Sequence, residues 1–387
     1  GLKIYTTLDF RTQAYAESVV AVQIARLQKQ FDDEVKYRPY PKKEKPADSL
    51  LFIHASLLAM EPATGDVRAW VGGRDHKRFK YDHAGQSRRQ PGSTFKPYVY
   101  CVALEKGYTP CSRFVDRPVT IRYKENDSVK TWSPHNSDWV FTGDSMTLRR
   151  ALARSVNSVT AQLTEKVTPE AVMECAQRLG IKSELKPVPS IGLGPFDVTL
   201  LELVNSYCPF ANTGLKVEPR LITSISNSAG EVLENFAPER KRVLTEQNAF
   251  LMSYMLRGSL EEPGSTSGNL WGYRIFDKGN EAGGKTGTST HQADGWFVTI
   301  TPGLVAGGWV GFSTPSVRFR TREIGEGSKT ALPLVGSFLE AVFTHPECGV
   351  KPARFEKPKK PVTVNYRCPS DPMPMDTTKI DSAVIVE

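Results

Sequence analysis

A chain of 387 residues with 39% hydrophobic and 24% charged residues has the composition of a globular protein of one large or two ordinary domains. Lys and Arg (50) exceed Asp and Glu (42) by +8, with no dense basic block, which argues against nucleic acid and suits an anionic surface or polymer. No apolar run reaches the roughly 18–20 residues of a membrane helix, no signal peptide is visible and the chain starts at Gly1, so it reads as a fragment or processed product.

In chain order, "IYTTLDFRTQAYAESVVAVQIARLQKQF" predicts a short extended piece and then a helix that Thr7 or Asp9 can cap. "KYRPYPKKEKPADS" is a polar, Pro-rich connector. "HASLLAMEPATGDVRAWVGG" alternates on both sides of a turn composition and predicts a hairpin. A helix is predicted through "FKPYVYCVALEKG", and residues 109–146 read as turn-rich and irregular. Helices follow in "TLRRALARSVNSVTAQLTEKV", in "TPEAVMECAQRLG" with Thr168 and Gly180 as caps, and in "TLLELVNSYCPFANTG". "LITSISNSAGEVLENF" predicts a second hairpin, and "EQNAFLMSYMLRGSL" a helix. "AGGKTGTST", "GWFVTITP" and "LVAGGWVGF" predict three successive strands before a closing helix in "LPLVGSFLEAVF". No internal repeat is present. The order predicts an α/β (α+β) fold with one antiparallel sheet, its strands drawn from both ends of the chain and helices on its faces.

Cysteines stand at 101, 111, 175, 208, 348 and 368, and none forms CxxC, so a zinc ribbon or thioredoxin-type site is not expected. Cys175 and Cys208 lie in apolar helical patterns and are expected as buried thiols. Cys348 and Cys368 flank a Pro/Lys-rich tail and are the candidate disulfide pair.

Three short motifs carry chemistry. In "RRQPGSTFKPYVYC", Ser93 and Lys96 would share one face of a helix that begins at Ser93 or Thr94, with Pro97 tolerated only near its start. A serine needs a base, and a lysine serves once burial or a second cation lowers its pKa. Ser-x-x-Lys alone is common by chance. Ser155 and Asn157, two apart in a helical pattern, share a face only if a loop or helix end falls there. Gly279 to Thr286 matches G-x-x-x-x-G-K-T, but the polar stretch before it and the strand formers after it do not suit a phosphate loop. The alternative places Lys285, Thr286 and Gly287 on a strand edging a cleft. There they supply a cation, a hydroxyl and room for a substrate backbone. His135 and His291 border motifs and read as surface or structural residues, and Trp132 and Trp296 as core residues rather than cleft walls. Glu202 and Asn205 lie three apart in an apolar helix and are not read as a catalytic pair.

Ser-x-x-Lys, Ser-x-Asn and Lys-Thr-Gly in this order form the set of class A β-lactamases and penicillin-binding proteins. The chain resembles the transpeptidase domain of a bifunctional (class A) penicillin-binding protein over nearly all its length. "PATGDVRAWVGG", "RRQPGSTFKPYVY", "TWSPHNSDWVFTGDSMTLRRALARSVN" and "GGKTGTSTHQADGWFVTITPGLVAGGWVG" match its blocks in order. His83 stands where the family often has Asn. The resemblance implies an antiparallel sheet with helices on both faces and an all-helical lobe. It divides the chain into an N-terminal linker and opening helix (1–50), the transpeptidase domain (51–346) and a C-terminal tail (347–387).

The resemblance further implies that Ser93 attacks the carbonyl between the two D-alanines that end a peptidoglycan stem peptide. Lys96 is then the acylation base, Ser155 a proton relay, and Asn157 a ligand of the substrate amide and of Lys96. Lys285 meets the terminal carboxylate with Thr286. Gly287 and Thr288 line the substrate strand, and the N–H groups of Ser93 and Thr288 form the oxyanion hole. No metal or cofactor is implied. The expected partners are stem peptides ending in D-Ala-D-Ala and β-lactam antibiotics. The expected parent is membrane-anchored, carries a glycosyltransferase domain and works on the outer face of the bacterial cytoplasmic membrane. A D,D-carboxypeptidase shares every motif and differs in the acceptor, and a non-enzymatic β-lactam sensor domain acylates without turnover.

Overall fold

The computed structural model describes residues 1–40, 45–125 and 128–368; residues 41–44 of the predicted connector and 369–387 of the predicted tail lie outside them. Strand β1 (Lys3–Thr6) leads into helix α1 (Phe10–Tyr37), capped by Asp9, whose Oδ1 accepts from the Thr12 N–H at 2.8 Å. Ala16, Val20, Ile24, Leu27 and Phe31 are buried along one face of α1. Strands β2 (Ile53–Met60) and β3 (Val67–Val71) form the predicted hairpin. A 3₁₀ turn, Gly92–Phe95, then runs into helix α2 (Lys96–Glu105).

The span 109–146, expected to be irregular, holds four short strands: β4 (Arg113–Val115), β5 (Ile121–Glu125), β6 (Ser128–Trp132) and β7 (Ser145–Thr147). β4 pairs with β7, and β5 with β6. β4 and β7 are three residues each, too short to show a period although Met146 is buried and Phe114 packs on the core, and β5 and β6 are mostly exposed apart from Ile121.

The helical middle comprises α3 (Leu148–Ala153), α4 (Asn157–Val167), α5 (Pro169–Leu179) and α6 (Leu200–Ala211). Thr168 and Gly180 cap α5 as predicted. Strands β8 (Leu215–Val217), β9 (Ile222–Ser226), β10 (Val232–Asn235) and β11 (Arg240–Arg242) make two small sheets, β1-β9-β10 and β11-β8. Helix α7 (Glu246–Glu261) precedes strands β12 (Gly283–Thr288), β13 (Asp294–Ile300) and β14 (Val305–Phe312). A short helix α8 (Arg322–Gly325) and the long α9 (Ala331–Thr344) follow.

The central sheet is antiparallel in the order β12-β13-β14-β2-β3, so strands from both ends of the chain meet in it. Alternate residues of β2 feed two cores: Ala55, Leu57 and Ala59 pack with α1 and α9, while Leu58 and Met60 pack with α2 and α4–α7. β12 is one edge of this sheet and lies against the 3₁₀ turn at Gly92–Phe95, which places two of the three motifs side by side.

Beyond α9 the chain runs back over α7. Phe355 is buried, and the Tyr366 ring lies 5.5 Å from Phe250 and 5.1 Å from Tyr254. Cys368 is disulfide-bonded to Cys111, not to Cys348, which corrects the candidate pair. Cys348 is a buried free thiol in the core with α1. The chain from 348 to 368 can reach roughly 70 Å when extended, so nearness in sequence does not hold its two cysteines together. Cys175 and Cys208 are buried free thiols, as expected.

Candidate active site

Ser93 is the second residue of the 3₁₀ turn, where the backbone N–H has no carbonyl one turn back to bind. The helix start predicted at Ser93 or Thr94 is this turn, and Pro97 is the second residue of α2. Ser93 opens onto a cleft of about 630 Å³ that also exposes Ser155, Asn157, Thr286, Gly287 and Thr288. A Cβ on Gly92 (φ +54°) would meet the Thr288 carbonyl oxygen at 2.6 Å, and one on Gly287 would meet that of Pro91 at 2.4 Å. Turn and strand therefore touch backbone to backbone. The side-chain space of Gly287, expected to admit a substrate, is taken by the protein itself.

The predicted helix 147–167 breaks where the Ser-x-Asn motif needs it to. The Ser155 N–H donates to the Leu152 carbonyl (3.1 Å) and the Val156 N–H to that of Ala151 (3.0 Å), the two bonds of a Schellman stop. Ser155 takes the left-handed position (φ +59°) that usually falls to glycine. α4 restarts at Asn157, so Ser155 and Asn157 project from a helix junction onto the same group.

That group is Lys96. Its Nζ lies 2.5 Å from the Ser155 carbonyl oxygen, 2.7 Å from Asn157 Oδ1 and 3.1 Å from Ser155 Oγ. Lys285 Nζ reaches Ser155 Oγ at 2.9 Å and the Thr286 carbonyl at 3.0 Å. Both lysines are fully buried. Burial, and then the charge of Lys285, hold Lys96 well below the ordinary lysine range. Burial pushes Lys285 down to about 7. An uncharged amine has two donors and one lone pair. Were Lys96 uncharged, its two donors would go to the Ser155 carbonyl and Asn157 Oδ1, leaving its lone pair to accept a proton. Lys285 as an ammonium donates to Ser155 Oγ.

Sequence reading missed the scaffold under Asn157. Asn136 Oδ1 accepts from the Asn157 N–H (2.9 Å) and the Ser158 N–H (3.1 Å), capping α4 from outside. Asn136 Nδ2 and Ser158 Oγ both donate to Asp116 Oδ1, at 2.7 and 2.6 Å, and Thr142 donates to Oδ2. Burial would raise the Asp116 pKa, but these donors outweigh it and hold the carboxylate below its ordinary value. A buried ion pair, Arg89 Nε to Asp294 Oδ1 at 2.6 Å, ties the segment before Ser93 to β13, and Trp309 Nε1 and Ser289 Oγ also donate to Asp294. Asp116 is a single polar residue with no spacing that marks it, while Asn136 and Asp294 lie in blocks that carry the resemblance but had no role assigned to them.

The remaining candidates fall elsewhere. Trp296 is buried and donates to the Gln90 carbonyl at 2.8 Å, a core role as read. Trp132 and His83 do not line the cleft; His83 stacks on Trp309 at 4.9 Å. His291 lines it within a turn, and His135 lines it with its ring 4.5 Å from that of Trp139. Lys285 and Thr286 lie inside strand β12 with β13 next, not before a helix, so the phosphate-loop match has no structural counterpart. Glu202 is held in a capping box with Thr199 at the start of α6. Among the described residues no cluster of three or more His, Cys, Asp or Glu could hold a metal, and no helix is long and apolar enough to cross a membrane.

The family model for the penicillin binding protein transpeptidase domain matches residues 55–304. The chain belongs to the penicillin-binding protein transpeptidase family. This transpeptidase domain is 30% identical over 356 residues to penicillin-binding protein 2D of Bacillus subtilis, covering 92% of this chain and 47% of that protein. It is 34% identical over 329 residues to penicillin-binding protein 1A of Aquifex aeolicus, covering 84% of this chain and 42% of the relative. The chain thus spans less than half the length of these curated relatives. Its fold is that of solved penicillin-binding proteins. Penicillin-binding protein 1A from Haemophilus influenzae superposes with a TM-score of 0.76 at 22% identity, over 88% of this chain and 66% of the other. PonA1 from Mycobacterium tuberculosis, in complex with penicillin V, gives 0.73 at 21%, over 95% and 92%.

Proposed function

We propose that this penicillin-binding domain is a serine D,D-transpeptidase that cross-links peptidoglycan stem peptides. The observation that carries the reading is the convergence of two buried lysines on the Ser155 hydroxyl, beside Ser93 in the cleft. Uncharged Lys96 takes the Ser93 proton as Oγ attacks the carbonyl between the two terminal D-alanines. The Ser93 and Thr288 N–H groups hold the oxyanion. The proton passes from Lys96 through Ser155, 3.1 Å away, to the nitrogen of the leaving D-alanine. Lys285 and Thr286 meet the terminal carboxylate, and Asn157 binds the substrate amide. An acceptor amine then attacks the Ser93 ester, gives up its proton by the reverse path, and leaves with the acyl group as the cross-link. A β-lactam acylates Ser93 and stays.

The parent protein is proposed to be membrane-anchored, to carry a glycosyltransferase domain and to act on the outer face of the bacterial cytoplasmic membrane. The Cys111–Cys368 disulfide supports an oxidising compartment. A synthetic stem peptide ending in D-Ala-D-Ala, incubated with and without an amine acceptor, tests the reaction. The expected result is D-alanine release and a cross-linked product that grows with amine at the expense of hydrolysed peptide. Hydrolysed peptide at every amine concentration would instead make the domain a carboxypeptidase. Acylation without D-alanine turnover would make it a sensor.

A further inference from the structure

We infer that Trp139 and His135 form an aromatic shelf at one end of the cleft, which receives the apolar arm of the donor on the N-terminal side of the scissile carbonyl. The inference rests on the Ser93 reading and names a specificity element within it. Trp139 lines the cleft and is 73% exposed; among the described residues with large hydrophobic side chains only Phe10 and Tyr37 are more so. Its backbone sits in the left-handed region (φ +64°), an uncommon and costly place for a bulky side chain. The fold holds that conformation on both sides. The Trp139 N–H donates to the Asn136 carbonyl at 3.0 Å, and Asn136 Nδ2 donates to the Val140 carbonyl at 2.8 Å. The indole leans on the His135 ring, 4.5 Å away with planes 32° apart.

The same two residues place Asn157. The His135 carbonyl accepts from Asn157 Nδ2 at 2.7 Å, and Asn136 caps α4. An apolar ring is thus kept open to water in fixed register with the chemical groups, and covering it with an apolar ligand group is favourable.

The contacts also say which end of the cleft this is. Thr286 Oγ1 donates to Thr266 Oγ1 at 2.8 Å, and Thr266 donates to the Ala153 carbonyl, which marks the end assigned to the substrate carboxylate. Ser137, two residues before Trp139, accepts from Arg322 across the cleft. Arg322 pairs with Glu326 at 2.6 Å, and the next residue, Gly327, donates its N–H to Thr288 Oγ1 at 3.0 Å. Trp139 therefore stands at the Thr288–Arg322 end. A donor whose carboxylate lies at Thr286 and whose carbonyl lies at Ser93 sends the rest of its chain toward that end.

The test uses two β-lactams with one nucleus: a penicillin with a phenylacetyl arm, and 6-aminopenicillanic acid, which lacks the arm. Second-order acylation constants are measured for wild type, Trp139→Ala, Trp139→Gly and Trp139→Phe. The ratio of armed to unarmed constants is expected to fall about tenfold in the Ala and Gly variants and to stay within about threefold of wild type in the Phe variant. The Gly variant carries no left-handed strain, so a loss shared with Ala belongs to the ring. An unchanged ratio in Ala and Gly would mean that Trp139 serves only the loop, and would overturn the inference. Failure of both β-lactams to acylate the wild type would overturn the Ser93 reading and the shelf with it.

Discussion

Ser155 carries two demands that conflict. Its φ of +59° suits glycine, while its hydroxyl is the meeting point of Lys96 and Lys285. Ser155→Gly should therefore be more stable than Ser155→Ala by about 1 kcal/mol, because only Gly takes the left-handed position freely. Both should acylate roughly 10²–10⁴-fold more slowly, the usual worth of a proton-transfer group. Urea unfolding and stopped-flow acylation check the two halves separately. The lysines make a pH prediction. On the proposed mechanism acylation should rise with pH as Lys96 loses its proton, and Lys285 is the second cause, after burial, of the lowered Lys96 pKa. Lys285→Met should move the acid limb of the acylation profile to higher pH. The sign for stability follows from proton counts. Between about 7, where folded Lys285 titrates, and the ordinary lysine value of 10.5, the native state binds fewer protons than the unfolded one. Stability should thus rise with pH across that window, and less steeply in Lys285→Met. The residues themselves were legible in the sequence, since three ordered motifs name them. The conformation of Ser155 was not, because a helical pattern runs through it without a glycine.

At the scale of elements, the junction of α3 and α4 is held by a side chain from another segment. Asn136→Ala would strip the cap from two N–H groups of α4 and one donor from buried Asp116. The expected cost is about 1–3 kcal/mol by thermal or urea unfolding. A drop in acylation should accompany it, since Asn157 starts that helix. Elements with an apolar pattern, such as β2, α1, α6, β13 and β14, were readable from that pattern, whereas β12 (GGKTGT) has no apolar side chain and was readable only from its motif and place before β13. The strands between 109 and 147 were not readable, because β4 and β7 are only three residues long and β5–β6 buries little beyond Ile121.

Across the whole molecule, the Cys111–Cys368 bridge fastens the tail over α7 and closes a loop 257 residues apart in sequence. Cys368→Ser should cost about 2–5 kcal/mol by denaturant unfolding, the range for bridges that close long loops. Acylation by penicillin should persist, since the bridge is not in the cleft. The pairing was beyond the sequence because it depends on the path of the tail over the folded helices. The sheet order was within reach, because three late strands and one early hairpin leave few ways to build a single antiparallel sheet.

The central claim is that Ser93 forms the covalent bond. The direct measurement is intact-mass analysis of the protein after incubation with a penicillin, followed by mapping of the modified peptide. One adduct is expected, on the peptide containing Ser93, and none in Ser93→Ala. An adduct on any other residue, or one that survives Ser93→Ala, would contradict the account.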